Sequence, residues 1–242
     1  MNRLVVEGLG AGYGAVSVLA NVSLEVRAGE LVALLGTNGN GKSTLLNTVM
    51  GLVRPRAGRV LLEWDGETID LTGLPPHRVV EAGIAFVPEG RRLVPHLTVE
   101  ENLLLAGGVK RARAHRDRNL ARAYERFPVL RERRRQRAGT MSGGQQQLLA
   151  IARALMTEPR IVVVDEPSVG LAPIVVDQVI EAIRELLAAN LTVLMAEQSF
   201  FRAIEVASRA YVLSHGRIVR SFDRSAGPIP DAEIRRAMMG ID

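Results

Sequence analysis

The chain has 242 residues, 47% of them hydrophobic and 24% charged, with a formal net charge of +5, a make-up that builds a packed core and excludes wholesale disorder. It has no cysteine, which excludes disulfides, thiolate metal sites and cysteine nucleophiles and fits a reducing compartment. The opening MNRLVVEGLG lacks the basic start and apolar stretch of an export signal, and no apolar run approaches the roughly 20 residues that span a bilayer, so the cytoplasm is the expected location and any membrane role comes through a partner.

In chain order, residues 22–26 (VSLEV) alternate apolar and polar side chains, which predicts a strand with one wet face. Leu31–Leu35, Ile84–Val87 and 161–164 (IVVV) are apolar throughout, and 192–196 (TVLMA) is so but for Thr192. Runs of this kind predict parallel strands buried on both faces, with helices packed against them. The expected fold class is α/β with a mostly parallel sheet.

Directly after Leu35, Gly36-Thr37-Asn38-Gly39-Asn40-Gly41-Lys42-Ser43 fits G-x-x-x-x-G-K-[ST], and a helical run over residues 44–52 follows. The glycines let backbone N–H groups turn inward around phosphate oxygens, and the helix start adds the positive end of its dipole. Lys42 supplies a point charge for the β and γ phosphates, and Ser43 offers a hydroxyl to magnesium. The nucleotide-contacting set is therefore Gly36, Asn38, Gly39, Asn40, Gly41, Lys42, Ser43 and Thr44. An ordinary glycine-rich turn is the plain alternative, and the loop alone does not separate kinases, GTPases and motor ATPases.

From about residue 93 to 156 the pattern is helical, opening on the capping box Thr98-Val99-Glu100-Glu101. This predicts a helical subdomain, 93–157, inserted into a nucleotide-binding core of residues 1–92 and 158–242. Within it, residues 110–137 carry one lysine and eleven arginines against Asp117, Glu125 and Glu132. A solvated helix face, a surface near anionic lipid headgroups and a nucleic-acid patch all fit that charge. Tyr124 and Phe127 are the only aromatic residues nearby, which disfavours nucleic acid.

Met141-Ser142-Gly143-Gly144-Gln145-Gln146-Gln147 precedes a helix expected over residues 148–156. Ser142 and the amides of Gly143 and Gly144 at a helix start make a second anion site, or a capped helix start and nothing more. The strand 161–164 then ends in Asp165-Glu166, two carboxylates at the carboxyl edge of the sheet beside the phosphate loop. There Asp165 would hold magnesium and Glu166 would orient and deprotonate the attacking water; the plain alternative is an acidic turn before Pro167.

With these motifs in this order, the chain resembles the ABC ATPase family, whose pattern is Leu-Ser-Gly-Gly-Gln; Met141 for leucine is a mild departure. The resemblance covers essentially the whole chain. It implies one ABC ATP-binding domain with an antiparallel β subdomain beside the parallel core, and ATP with Mg2+ as ligands. It also implies two ATP molecules sandwiched between two cassettes, so that Ser142, Gly143, Gly144 and Gln145 reach the γ phosphate held by the other subunit. Tyr13, otherwise a loop aromatic, would stack on adenine. The implied partners are two membrane permease subunits, a second ABC ATPase in a heterodimer or homodimer, and indirectly an extracytoplasmic solute-binding protein. The implied location is the cytoplasmic face of the inner membrane, with no nucleic acid bound.

Three departures resemble the second ATPase of branched-chain amino acid importers. They are Pro167-Ser168-Val169-Gly170-Leu171-Ala172-Pro173 after the carboxylate pair, Glu89 where most members have glutamine, and Gln198 where the switch histidine usually stands. The resemblance gives Glu89 a place at the metal and in catalysis, and gives Gln198 the switch position. The urea importer ATPase is the competing branch; it usually keeps the glutamine that Glu89 replaces. The chain ends soon after Met239, without the regulatory domain of some sugar importers. DNA-repair and chromosome-organising ATPases insert long coiled coils where only about a hundred residues separate Lys42 from Ser142 here, and ABC translation factors normally carry two ATPase domains. Because Gln198 cannot transfer protons, a binding module without turnover is a further alternative.

Overall fold

A computed structural model of the chain describes residues 1–227 and 231–239. Its strands fall into two sheets. One is antiparallel, made of β1 (Arg3–Tyr13), β2 (Val16–Arg27), β4 (Pro55–Trp64) and β5 (Glu67–Asp70) in the order β2-β1-β4-β5. The other contains β3 (Leu31–Leu35), β6 (Ile84–Val87), β7 (Ile161–Asp165), β8 (Thr192–Glu197), β9 (Arg209–Ser214) and β10 (Arg217–Asp223). Its order is β10-β9-β3-β8-β7-β6, and only the edge strand β10 runs antiparallel.

The helices are α1 (Lys42–Val49), α2 (Pro76–Ala82), α3 (Val99–Ala106), α4 (Arg116–Arg126) and α5 (Pro128–Glu132), followed by α6 (Gly143–Leu155), α7 (Pro173–Ala188), α8 (Phe200–Val206) and α9 (Asp231–Met239). The parallel strands are apolar on both faces because both are covered. Leu31, Ala33 and Leu35 of β3 join a core cluster with residues of α3, α6 and α7, whereas Val32 and Leu34 join a second one with α1, α2 and the antiparallel sheet. Val162 and Val164 of β7 divide from Ile161 and Val163 in the same way.

Strand β2 keeps the alternation seen at residues 22–26 but runs for 12 residues. Its partner β1 carries Gly8, Gly10 and Gly12 at three irregularities in the pairing, and a Cβ on Gly12 would lie 2.0 Å from the Val16 carbonyl oxygen. Glycines at bulges break a strand's sequence pattern. Residues 93–156 hold four helices, α3 to α6, separated by turns and short 3-10 segments. Helix α6 starts at Gly143, five residues before the expected position, because Ser142 caps it: its Oγ accepts from the Gln145 amide while Gln145 Oε1 accepts from the Ser142 amide. The poor helix propensity of the two glycines hides that first turn. Helix α1 likewise begins at Lys42 and ends at Val49, ahead of the expected 44–52.

Candidate active site

The carboxyl ends of four parallel strands converge on one cavity of about 560 Å3, a size ordinary for a small-molecule site. After β3 comes the phosphate loop, after β8 Gln198, after β7 Glu166, and two residues beyond β6 Glu89; all four segments line the cavity, together with Val18 and Val169. Strand β8 stands between β3 and β7, so the carboxylate pair reaches the phosphate loop across one strand. A larger groove, about 990 Å3 between α4 and the ends of α6 and α7, shares no lining residue with this cavity.

The loop has its shape for local steric reasons. Gly41 sits at φ 99°, where a Cβ would strike Leu19 at 2.9 Å, and a Cβ on Gly36 would lie 2.5 Å from the Leu213 carbonyl oxygen. The Asn40 side chain donates to Thr37 Oγ1 at 2.8 Å and accepts from the His215 amide at 3.0 Å. That side chain is thus engaged in bracing the loop against the β9–β10 turn, a role its place in the motif does not reveal. Lys42 Nζ donates to the carbonyl oxygens of Gly36 and Thr37, and pairs with Glu166 Oε1 at 2.9 Å. Asn38 and Gly39 are exposed on the cavity, and Thr44 is buried at its floor.

Ser43 Oγ donates to Asp165 Oδ1 at 3.2 Å. Burial pushes the Asp165 carboxyl up to about 6; the charges of Glu166 and Glu89 push the same way, against the Ser43 hydrogen bond and Lys42. Glu166 has a left-handed backbone, φ 44°, and its amide donates to the Ala196 carbonyl at 2.9 Å. A non-glycine residue held there is strained, as residues at functional sites often are. Among the described residues no three His, Asp or Glu side chains form a ready-made metal cage. The Ser43 and Asp165 oxygens are the hard donors that suit Mg2+, which takes few protein ligands and completes its shell with waters and phosphates.

Glu197, the last residue of β8, is fully buried, and burial raises its carboxyl above the usual range. Its oxygens accept from the Ser168 amide and hydroxyl and from the amides of Gln198 and Ser199. Sequence reasoning gave it no role.

Ser142 to Gln145 line no part of the cavity. They stand where α6 meets the loop that follows Glu166 and the start of α7: a Cβ on Gly144 would lie 2.3 Å from Val175 Cγ1 of α7, and one on Gly143 3.3 Å from Leu171 Cδ2 of the loop. Tyr13 ends β1 opposite Val16, is 52% exposed, and also lies outside the cavity lining. In the basic segment Tyr124 donates its hydroxyl to Glu100 and Phe127 is buried, so neither offers a free ring for base stacking.

Residues 19–169 match the family described as ABC transporter. The chain is 46% identical over 228 residues to BraG of Pseudomonas aeruginosa, a high-affinity branched-chain amino acid transport ATP-binding protein, covering 94% of this chain and 95% of that one. The chain belongs to the ABC transporter ATP-binding family. A probable branched-chain amino acid transport ATP-binding protein, LivF of Archaeoglobus fulgidus, is 36% identical over 238 residues, covering 96% of this chain and 97% of that one. The crystal structure of MJ1267, an ATP-binding cassette of an ABC transporter, in its ADP conformation is similar at a TM-score of 0.81 and 28% identity, covering 99% of this chain and 95% of that one. As an ABC ATPase the chain binds nucleotide and hydrolyses ATP, and that hydrolysis is coupled to transport. No helix among the described residues is long and apolar enough to cross a membrane.

Proposed function

We propose that this ABC ATPase energises import of branched-chain amino acids, working at the cytoplasmic face of the inner membrane with two permease subunits, a second ABC ATPase and an extracytoplasmic solute-binding protein. The observation that carries this reading is the 46% identity to BraG along almost the whole chain. Glu89, Gln198 and the Ser168–Pro173 segment, which depart from the wider family pattern, agree with it.

In the reaction, Lys42 and the amides of Gly39 to Ser43 hold the β and γ phosphates. Ser43 and Asp165, with Glu89 on the same cavity, would hold Mg2+, which when bound would neutralise charge on those phosphates. Glu166 takes the proton of the attacking water, and Gln198 hydrogen-bonds at the γ phosphate without a proton to exchange. Ser142 to Gln145 serve the ATP held by the partner cassette, and Tyr13 stacks on adenine.

The test is reconstitution with the permeases, companion ATPase and binding protein into liposomes. ATP-driven uptake of leucine, isoleucine and valine is expected, and uptake of urea in their place would overturn the assignment.

A further inference from the structure

We infer that Glu197 is a positioning residue for ATP hydrolysis: one buried carboxylate fixes the loop that follows Glu166 against the loop that carries Gln198. This rests on the reading that Glu166 and Gln198 act on the same ATP.

Glu197 is fully buried at the end of β8, opposite Leu35, the residue just before the phosphate loop. Among the described residues no arginine, lysine or histidine pairs with it. A buried carboxylate without a counter-charge is costly unless its lone pairs are filled, and here they are filled wholly from two loops. Oε1 accepts from the Ser168 amide at 3.1 Å; Oε2 accepts from the Ser168 hydroxyl at 2.9 Å and from the amides of Gln198 and Ser199 at 3.2 and 3.4 Å.

Ser168 lies two residues after Glu166, whose amide is tied to Ala196 of β8 and whose backbone is left-handed. Gln198 is the residue next to Glu197. The same carboxylate therefore sets the spacing between the two side chains that face the attacking water. The Ser168 loop runs on through Leu171 into α7, and Leu171 and Val175 of α7 stand against Gly143 and Gly144 of the second glycine motif. A shift of Ser168 would be carried to the segment that serves the partner's ATP.

Glutamine at this position has one acceptor oxygen and turns an NH2 toward at least one N–H donor, so it cannot keep all four hydrogen bonds; aspartate keeps both oxygens on a shorter arm. The experiment measures kcat and KM for ATP, the melting temperature, and amide hydrogen exchange at Ser168, Gln198 and Ser199. Glu197→Gln is expected to lower kcat about tenfold or more while KM stays within about threefold. Exchange should rise in both loops together, with the strand cores unchanged, and Glu197→Asp should recover part of the lost rate.

Parent-like kcat in Glu197→Gln, or loosening of one loop only, would overturn the inference. If the buried variants fail to fold, Ser168→Ala removes the hydroxyl donor alone and should slow turnover and raise exchange at Gln198 and Ser199; unchanged exchange there would also overturn it. An active Glu166→Gln would sink the underlying reading, whereas an inactive Glu166→Gln beside a fully active Glu197→Gln would sink this inference alone.

Discussion

Lys42 Nζ and Glu166 Oε1 stand 2.9 Å apart, with both side chains less than a tenth exposed. The lysine proposed to bind phosphate and the residue proposed as base thus hold one another, and on the proposed reading a γ phosphate takes Lys42 over from Glu166. Removing Lys42 deletes a charge-assisted phosphate contact and leaves the carboxylate facing the incoming anion. Lys42→Ala should weaken ATP binding about ten- to a hundredfold, read by equilibrium titration with a fluorescent ATP analogue.

Asp165 gives a pH-dependent prediction. Its carboxyl rises from an ordinary 3.8 to about 6, so in the ligand-free chain the ionised form carries a folded-state penalty of about 3 kcal/mol. The penalty is complete above pH 6 and is relieved as pH falls from about 6 toward 4, because the folded chain takes up the proton first. Asp165→Asn should therefore melt higher than the parent at pH 8, with the difference shrinking toward pH 4.5. Mg2+ and ATP together should raise the parent's melting temperature more than the variant's.

The loop after Glu89 supplies a third prediction. Gly90, Arg91 and Arg92 are consecutive left-handed residues, at φ 71°, 64° and 42°. Arg153 on α6 pins them, donating to the carbonyl oxygens of Arg92 and Arg91 at 2.8 and 3.1 Å. Arg153→Ala should cost about 1 to 3 kcal/mol, and Arg153→Lys should not restore it, because an ammonium lacks the planar fork; thermal melts check both.

The phosphate loop and the Asp165-Glu166 pair could be read from the chain because each is a short motif at the end of an apolar strand, and two covered faces force that apolarity. Strand β1 could not, since its glycines at the bulges erase the alternation. The start of α6 was hidden by two glycines that Ser142 and Gln145 make helical. The bracing by Asn40, placed beforehand only among the nucleotide contacts, and the contacts of Glu197 escaped notice for a different reason: the His215 amide that Asn40 braces is 175 positions away, and Ser168 is 29 positions from Glu197. Only the folded chain brings those partners together.

Gln198 offers a donor and an acceptor but no charge and no proton. The ATP site built on this chain's phosphate loop should turn over slowly beside a companion that carries histidine. In the reconstituted pair, Ser142→Arg in this chain should cost more turnover than Lys42→Ala, since it damages the companion's faster site. Gln198→His should speed hydrolysis by this chain alone. Equal losses in the two variants, or no gain from histidine, would contradict the asymmetry.

The central claim, that Glu166 is the base of an ATP hydrolase, is tested most directly by steady-state ATP hydrolysis of Glu166→Gln beside the parent, with nucleotide affinity measured on the same preparations. The amide can still orient a water but cannot take its proton. The account predicts that kcat falls about a hundredfold or more while ATP affinity stays within about threefold of the parent. Hydrolysis at the parent rate, or a loss matched by an equal loss of ATP affinity, would contradict it.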